Sequence, residues 1–362
     1  MILSTPRFKY LKGLAAVFGV LFAALLLSHA GLEVLSRWAE SKPGYYLWRS
    51  DDHLMLLSPS RFQHPGKGRL MIFGASEAAE GFVEKAMEQR LPGLKVENLA
   101  YDGAMFNDLL MQLRYLEAAY GEAAIPSDIV VGISVRYVAN FKIPRTRLFK
   151  DAIDKYSTAR VAVTPSGTRV VHKGWFEAGL GWLGFRLHQT ERYRHAMEAA
   201  GIELAYRVAP EWAKKRNLRG QLAKAKYWSR VRGGDEEIRT RLMGVRHWQQ
   251  SRVWKASDDR AMVEREMNTV LDFAHRHHVR LYFINMPMLA ATRSIFVPGV
   301  LDDYLQTVNA TRGDAPLLDL SKLLPDDEFS DAAHASGKGA QHISAVAADF
   351  IRGRELQSQV SP

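Results

Sequence analysis

Three observations in the 362-residue chain predict an α/β fold. From Arg69 onward, short apolar runs alternate with helical patterns. A long, basic, aromatic-rich stretch over residues 140–260 interrupts that rhythm, and the rhythm then returns to the end of the chain. Alternation of this kind builds a parallel sheet with helices on both faces. The expected arrangement is a flavodoxin-like three-layer parallel sheet of strand order 2-1-3-4-5, with a helical insertion and an N-terminal transmembrane helix. Its switch point falls between strands one and three, beside Ser76.

The chain begins with Arg7, Lys9 and Lys12 ahead of an apolar run at residues 13–32. About twenty such residues suffice to cross a bilayer as a helix, and the basic residues favour the cytoplasmic side for the amino terminus. The expected organisation is therefore a cytoplasmic tail (residues 1–12), a transmembrane anchor (13–32) and a linker rich in Pro, Gly, Ser and aromatics (33–68). An α/β domain in two parts (69–139 and 261–362) follows, interrupted by a helical cap (140–260). Ser28-His29-Ala30 has the small-x-small form of a cleavage site, so a signal peptide competes with the anchor. Both place the rest of the chain outside the cytoplasm, as a periplasmic domain held to the inner membrane by a single span when uncleaved.

Strand one is expected at residues 70–73, where Leu70 to Phe73 form a short apolar run that stops at Gly74-Ala75-Ser76. A helix is expected over 78–91, strand two over 96–99, and an amphipathic helix over 106–120 that carries Leu109, Leu110, Leu113 and Leu116 on one side. Strand three is expected at 129–133, behind the Pro126-Ser127-Asp128 turn. A helix over 261–278 leads to strands at 279–284 and 317–320, and a last helix over 340–354 covers the sheet. The insertion holds few β-branched runs but carries Trp175, Trp182, Trp212, Trp228, Trp248 and Trp254, and reads as several helices.

Composition narrows the chemistry. Hydrophobic content of 47% and charged content of 24% belong to a folded globular protein. The absence of cysteine removes disulfides, thiolate metal sites and cysteine nucleophiles together. A net charge of +10 fits nucleic acid, an anionic membrane surface or an acidic polymer equally. No nucleic-acid recognition motif occurs, and an extracytoplasmic domain disfavours that partner. Basic residues of the insertion, such as Lys214, Lys215, Arg216 and Arg219, read first as a solvated helical face and otherwise as a groove for an anionic glycan or lipid headgroup. His275, His277 and His278 end a helix, where the dipole favours cations; they are too close together to converge on a metal, and no metal is expected.

Ser76 stands at the carboxyl end of the first strand, where ligands bind in open α/β sheets, and opens a helix whose first N–H groups face an incoming anion. Capping alone accounts for a serine there. Near the other end of the chain, Asp331 precedes His334 by three residues on a turn before the terminal helix. A serine nucleophile needs a base, and the base needs a partner that fixes its tautomer. Read singly, Asp331 is a turn residue and His334 a solvated side chain. His342 is a rival base, but it lies inside the helical pattern and lacks an upstream Asp at that spacing.

Taken together, Gly74-Ala75-Ser76, Asn98-Leu-Ala-Tyr-Asp-Gly103 and Asp331-x-x-His334 with Gly339 resemble the blocks of the SGNH/GDSL hydrolase superfamily. In the third block, Val130-Val131-Gly132-Ile133-Ser134, Ser134 stands where that family most often has Asn. The Gly-x-Ser-x-Gly elbow of α/β-hydrolases is not matched, because Glu77 and Ala78 follow Ser76, and a dinucleotide fingerprint lacks its further glycines. The resemblance implies a Ser76–His334–Asp331 triad acting on esters, with no cofactor. The implied oxyanion hole takes the N–H groups of Ser76 and Gly103 and a third donor from Ser134 or Asn107. The anchor is similar to that of the membrane-tethered DltD-like and alginate-acetylation-like branch. That likeness implies an esterase or O-acyltransferase of a cell-surface or secreted polysaccharide, partnered by a membrane-bound O-acyltransferase. The alternative is a catalytically inactive scaffold of the same fold that binds polysaccharide or such a partner.

Overall fold

The computed structural model describes residues 16–24, 27–28, 30–31, 34, 68–139, 153–154, 159–164, 167–181, 201, 204–216, 242–243, 254 and 256–360. The chain divides into two compact units: Met1–Leu47 with Arg186–Ala225, and Trp48–Phe185 with Lys226–Pro362.

The second unit carries the sheet. Its elements run β1 (Arg69–Gly74), α1 (Ser76–Gly81), α2 (Glu84–Glu88), β2 (Lys95–Asn98), α3 (Phe106–Tyr120), β3 (Asp128–Ile133) and α4 (Val135–Val138). A hairpin follows, β4 (Ala159–Thr164) and β5 (Gly167–His172). The first unit contributes α5 (Pro210–Lys215) and the helical residues 16–24. The second unit resumes with α6 (Ala256–Arg276), β6 (Arg280–Asn285), α7 (Ala290–Arg293), α8 (Val300–Thr311), β7 (Leu317–Asp319) and α9 (Gly337–Val360).

Five parallel strands form one sheet in the order β2-β1-β3-β6-β7, flanked by helices. The strands expected at 279–284 and 317–320 take the last two places as β6 and β7. The order counted along the chain nevertheless differs from 2-1-3-4-5, because an unexpected antiparallel hairpin, β4–β5, comes before them and forms a separate two-stranded sheet. The insertion read as helical therefore contains a hairpin. Val161, Val163, Thr164, Thr168, Val170 and Val171 supply β-branched side chains around Pro165-Ser166, a strand-turn-strand signal masked by the surrounding helical composition.

The period of two along each strand builds the two cores. Met71, Phe73, Ile129, Val131, Leu281 and Phe283 point to the face covered by α3, α6 and α8. Leu70, Ile72, Val96, Val130, Tyr282 and Ile284 point to the face covered by α1, α2 and α9. Strands buried on both sides need no alternation of polar residues, which is why β1 reads as a continuous apolar run. Each fully buried side chain of this kind contributes about 1.5–3 kcal/mol.

The helix expected over 78–91 is broken in two at Phe82 and Val83, where Phe82 is extended (φ −111°, ψ 124°). The break is stabilised from elsewhere in the chain. Asn98 Nδ2 donates to the carbonyls of Ala78, Ala79 and Phe82 at 3.1–3.3 Å, and Ser344 Oγ accepts the Val83 N–H at 2.8 Å. Helix α8 was not anticipated; its acidic first turn, Asp302 and Asp303 after Gly299, was the available signal. At the end of α6, His278 adopts φ 54°, and the Val279 N–H donates to the Ala274 carbonyl at 2.8 Å, closing the helix in a Schellman-type turn. His277 packs on Phe273, with Glu117 at 3.4 Å.

Among the described residues no helix is long and apolar enough to cross a membrane. Of the expected anchor, residues 16–24 are helical, with Val17, Phe18, Val20, Leu21 and Phe22 exposed. The rest of that stretch lies largely outside the described residues, as do the linker before Gly68, most of the insertion, and Trp182, Trp228 and Trp248. Trp175 and Trp212 are exposed, whereas Trp254 is buried and donates to Asp303.

Candidate active site

The close approach of α1 to the sheet places Ser76. Gly74 has φ +151°, and a Cβ there would stand 2.6 Å from both Ala78 Cβ and the Gly132 carbonyl oxygen. A Cβ on Gly132 would stand 2.5 Å from Ala78 Cβ. Two glycines and an alanine thus let the first turn of α1 sit directly on the ends of β1 and β3. Ser76 becomes the first helical residue after Ala75, at the carboxyl edge of the sheet and partly exposed. Its N–H occupies a position that has no intrahelical acceptor.

His334 arrives on a loop fixed independently of α1. Phe329 and Ala335 form an antiparallel bridge, the Ser330 N–H donates to the His334 carbonyl at 2.9 Å, and the Ser336 N–H donates to the Glu328 carbonyl at 2.7 Å. Thr292 Oγ1 ties the loop to α7 by donating to the Ala332 carbonyl. Gly339 is required where α9 begins, because a Cβ there would stand 2.3 Å from the Glu328 carbonyl oxygen. Ser336 caps α9 by accepting the Gly339 N–H at 3.3 Å.

The structure brings three of the sequence-predicted residues together. His334 Nε2 lies 2.9 Å from Ser76 Oγ. On the other side of the ring, Nδ1 lies 3.0 and 2.9 Å from Asp331 Oδ1 and Oδ2. Asp331 is buried, and its Oδ1 also accepts the N–H groups of Ala333 and His334 at 2.8 and 2.9 Å. The His334 side chain is 13% exposed. His342 is elsewhere engaged: its Nδ1 lies 2.9 Å from Glu328 Oε2, and Lys338 pairs with the same carboxylate at 3.1 Å.

The expected oxyanion donors differ among themselves. Gly103 lies in a turn with φ +76°, and the turn is held to β1 by the Tyr101 N–H, which donates to the Gly74 carbonyl at 3.2 Å. Ser134 caps α4: its Oγ accepts the Tyr137 N–H at 3.3 Å and lies 3.4 Å from Glu77 Oε1. Asn107 is in the first turn of α3, and its side chain lies outside the described residues. Asn98, quoted in the second sequence block, is buried and caps the carboxyl end of α1.

Two carboxylates at the site were not singled out from the sequence. Glu77 Oε2 lies 3.4 Å from Ser76 Oγ, and Arg136 Nη1 lies 3.8 Å from Glu77 Oε1. Glu80, 3% exposed, places Oε1 3.7 Å from His334 Nε2. The available signal was helical spacing, since residues four apart share one face and Glu80 is therefore stacked beneath Ser76. Burial alone would lower the His334 pKa. The carboxylates of Glu80, Asp331 and Glu77 outweigh it, and the ring is held above the usual histidine value. A hydroxyl, an imidazole and a buried carboxylate in this order can transfer the hydroxyl proton to the ring and stabilise the imidazolium.

No known family model matches the chain, and no curated protein matches it. Among solved structures it is similar to an acetyl xylan esterase (Est2A) from the rumen bacterium Butyrivibrio proteoclasticus, at 8% identity and a TM-score of 0.32. The match covers 80% of this chain and spans less than two thirds of that enzyme, 64% of its length.

Proposed function

We propose that the chain is a serine-dependent acyl-ester enzyme of the SGNH type, working through an acyl-serine on Ser76. The observation that carries this reading is the contact between Ser76 Oγ and His334 Nε2, with Asp331 on the far nitrogen of the ring. In the reaction, Ser76 Oγ attacks the ester carbonyl carbon while its proton passes to Nε2. The N–H so formed is then donated to the leaving alkoxide as the acyl–oxygen bond breaks. Asp331 keeps the Nδ1 proton in place throughout, so that Nε2 faces the serine as an acceptor. The Ser76 and Gly103 N–H groups are the proposed oxyanion donors, and a lost donor of that kind typically costs about two to three powers of ten in rate. A second turnover step passes the acyl group to water, as an esterase, or to a sugar hydroxyl, as an O-acyltransferase.

The cellular setting is part of the same proposal. Arg7, Lys9 and Lys12 before the apolar run support a single-span anchor in the inner membrane, with the α/β unit on the periplasmic side. That placement favours an acylated cell-surface or secreted polysaccharide as substrate. A membrane-bound O-acyltransferase partner rests on the sequence resemblance alone.

The test is covalent. Wild-type protein is expected to hydrolyse an aryl acetate and to be labelled by a serine-directed phosphonate, and Ser76→Ala is expected to lose both. Labelling that persists in Ser76→Ala would sink the assignment. One observation favours the competing scaffold reading: Ser134 is turned towards Glu77 and the Tyr137 N–H. On that reading, cells carrying Ser76→Ala acylate their polymer normally.

A further inference from the structure

The imidazole of His334 is flanked by a carboxylate on each nitrogen. Asp331 is on Nδ1 at 2.9 Å, as a serine triad requires. Glu80 is on Nε2, where its Oε1 lies 3.7 Å away, beside the 2.9 Å contact to Ser76. A triad does not need this second acid, and burying it is unfavourable. Its position is fixed by the fold: Glu80 lies one helical turn beyond Ser76 on α1, with its side chain only 3% exposed. It cannot act as a solvated surface acid.

We propose that Glu80 is a positioning residue, a second carboxylate partner of His334 that stabilises the imidazolium formed when Ser76 gives up its proton. The inference rests on the acyl-serine reading and deepens it. When Oγ forms its bond to the acyl carbon, the O–H bond breaks, the proton moves to Nε2 and the carbonyl electron pair moves to oxygen. The new positive charge then lies between Asp331 and Glu80. Glu77, also on α1, adds a third negative charge near the ring. All three carboxylates act on the ring in the direction that favours its protonated form.

Two opposed consequences follow from one charge. In the resting protein, Glu80 favours the protonated ring, which cannot accept the serine proton, so the rate at low pH is reduced. In the transition state the same charge stabilises the imidazolium, so the rate at high pH is increased. An acid that only filled space would produce neither effect.

The test compares wild type with Glu80→Gln, which keeps the shape and removes the charge. The His334 ring is titrated by NMR, and the pH dependence of aryl acetate hydrolysis is measured. Glu80→Gln is expected to move the ring midpoint and the acid limb of kcat/KM to lower pH. It is also expected to lower the high-pH plateau of kcat by at least about tenfold with KM little changed, so the two pH profiles cross. An unmoved ring midpoint, or a profile lowered in parallel at every pH, overturns the proposal. Should Glu80→Gln fail to fold, Glu80→Asp keeps the charge but draws it back from the ring. Its acid limb is expected to move part of the way, and an unmoved limb again overturns the proposal. A protein without esterase activity removes the acyl-serine reading, while the ring titration still decides whether Glu80 acts on His334.

Discussion

Asp331 holds His334 twice: Oδ1 accepts the backbone N–H of His334 at 2.9 Å while Oδ2 lies 2.9 Å from its ring Nδ1. The first contact shapes the turn and the second sets the tautomer, and one substitution separates them. Asp331→Asn keeps an oxygen for the backbone N–H groups but offers an amide to the ring, so Nδ1 becomes the acceptor and Nε2 carries the proton towards Ser76. The melting temperature is expected to stay within a few degrees of wild type, while kcat for an aryl ester falls by about 10⁴. Calorimetry and steady-state kinetics on the same sample check both halves.

The charge state of His334 sets the low-pH side of activity. Its pKa is raised because nearby Glu80, Asp331 and Glu77 outweigh the opposing effect of burial, and only the neutral ring accepts the Ser76 proton. The kcat/KM of wild type is therefore expected to rise with pH and to reach half its plateau above the ordinary histidine value of 6.5. The stability linkage has the opposite sense. A folded pKa above the unfolded one stabilises the protein fully below the unfolded value, and that contribution is lost as pH rises through the folded value. Rate should thus increase over the window in which the His334 contribution to stability fades. An acid limb centred below 6.5 contradicts the arrangement.

Much of this arrangement was legible in the sequence, for identifiable reasons. Strand β1 announced itself because a strand buried on both faces is a plain apolar run, and Ser76 followed from where that run stops. Asp331 and His334 are three residues apart, so their pairing is local. The contact between His334 and Ser76 depends instead on loop closure over most of the chain, and only the family-like blocks pointed to it. The break in the first helix was hidden for the same reason: Asn98 and Ser344, remote in sequence, take over the hydrogen bonds. The hairpin β4–β5 was overlooked because its valines lie within a stretch whose Trp, Arg and Lys content reads as helical. Glu80 falls in the helix expected over 78–91, where a glutamate reads as a solvated side chain, and the tertiary structure turns it to the imidazole.

Gly74 is where the fold and the candidate site meet. Gly74→Ala must place a Cβ 2.6 Å from the Gly132 carbonyl oxygen and from Ala78 Cβ, at φ +151°. Backbone lies on one side and a packed helix on the other, so neither neighbour yields easily. The substitution is expected to destabilise the domain by at least about 2 kcal/mol, measured by urea unfolding. In any folded fraction α1 is pushed off the sheet, and phosphonate labelling of Ser76 should slow more than the loss of stability accounts for. Unfolding midpoints equal to wild type would show that the approach of α1 is looser than these distances require.

Asp108 offers a test away from the chemistry. Its carboxyl is buried in the first turn of α3, where Oδ2 accepts the Met105 N–H at 2.8 Å, and Tyr101, just before the Gly103 turn, is also buried. Burial pushes the Asp108 pKa up to about 6, against the lowering effect of the Met105 N–H and the Tyr101 hydroxyl. A carboxyl raised in this way binds its proton more tightly in the folded state than in the unfolded one. Its contribution therefore favours folding at low pH and is lost as pH rises from about 4 to about 6, the reverse of a salt-bridged acid. Asp108→Asn retains an oxygen for the Met105 N–H and removes the charge. At pH 7 it is expected to be as stable as wild type or more so, by up to about 3 kcal/mol, with the difference shrinking towards pH 4. Paired melts at the two pH values decide the matter: a variant less stable than wild type at pH 7 would show that the ionised carboxylate is needed to hold Tyr101 and the loop that carries Gly103.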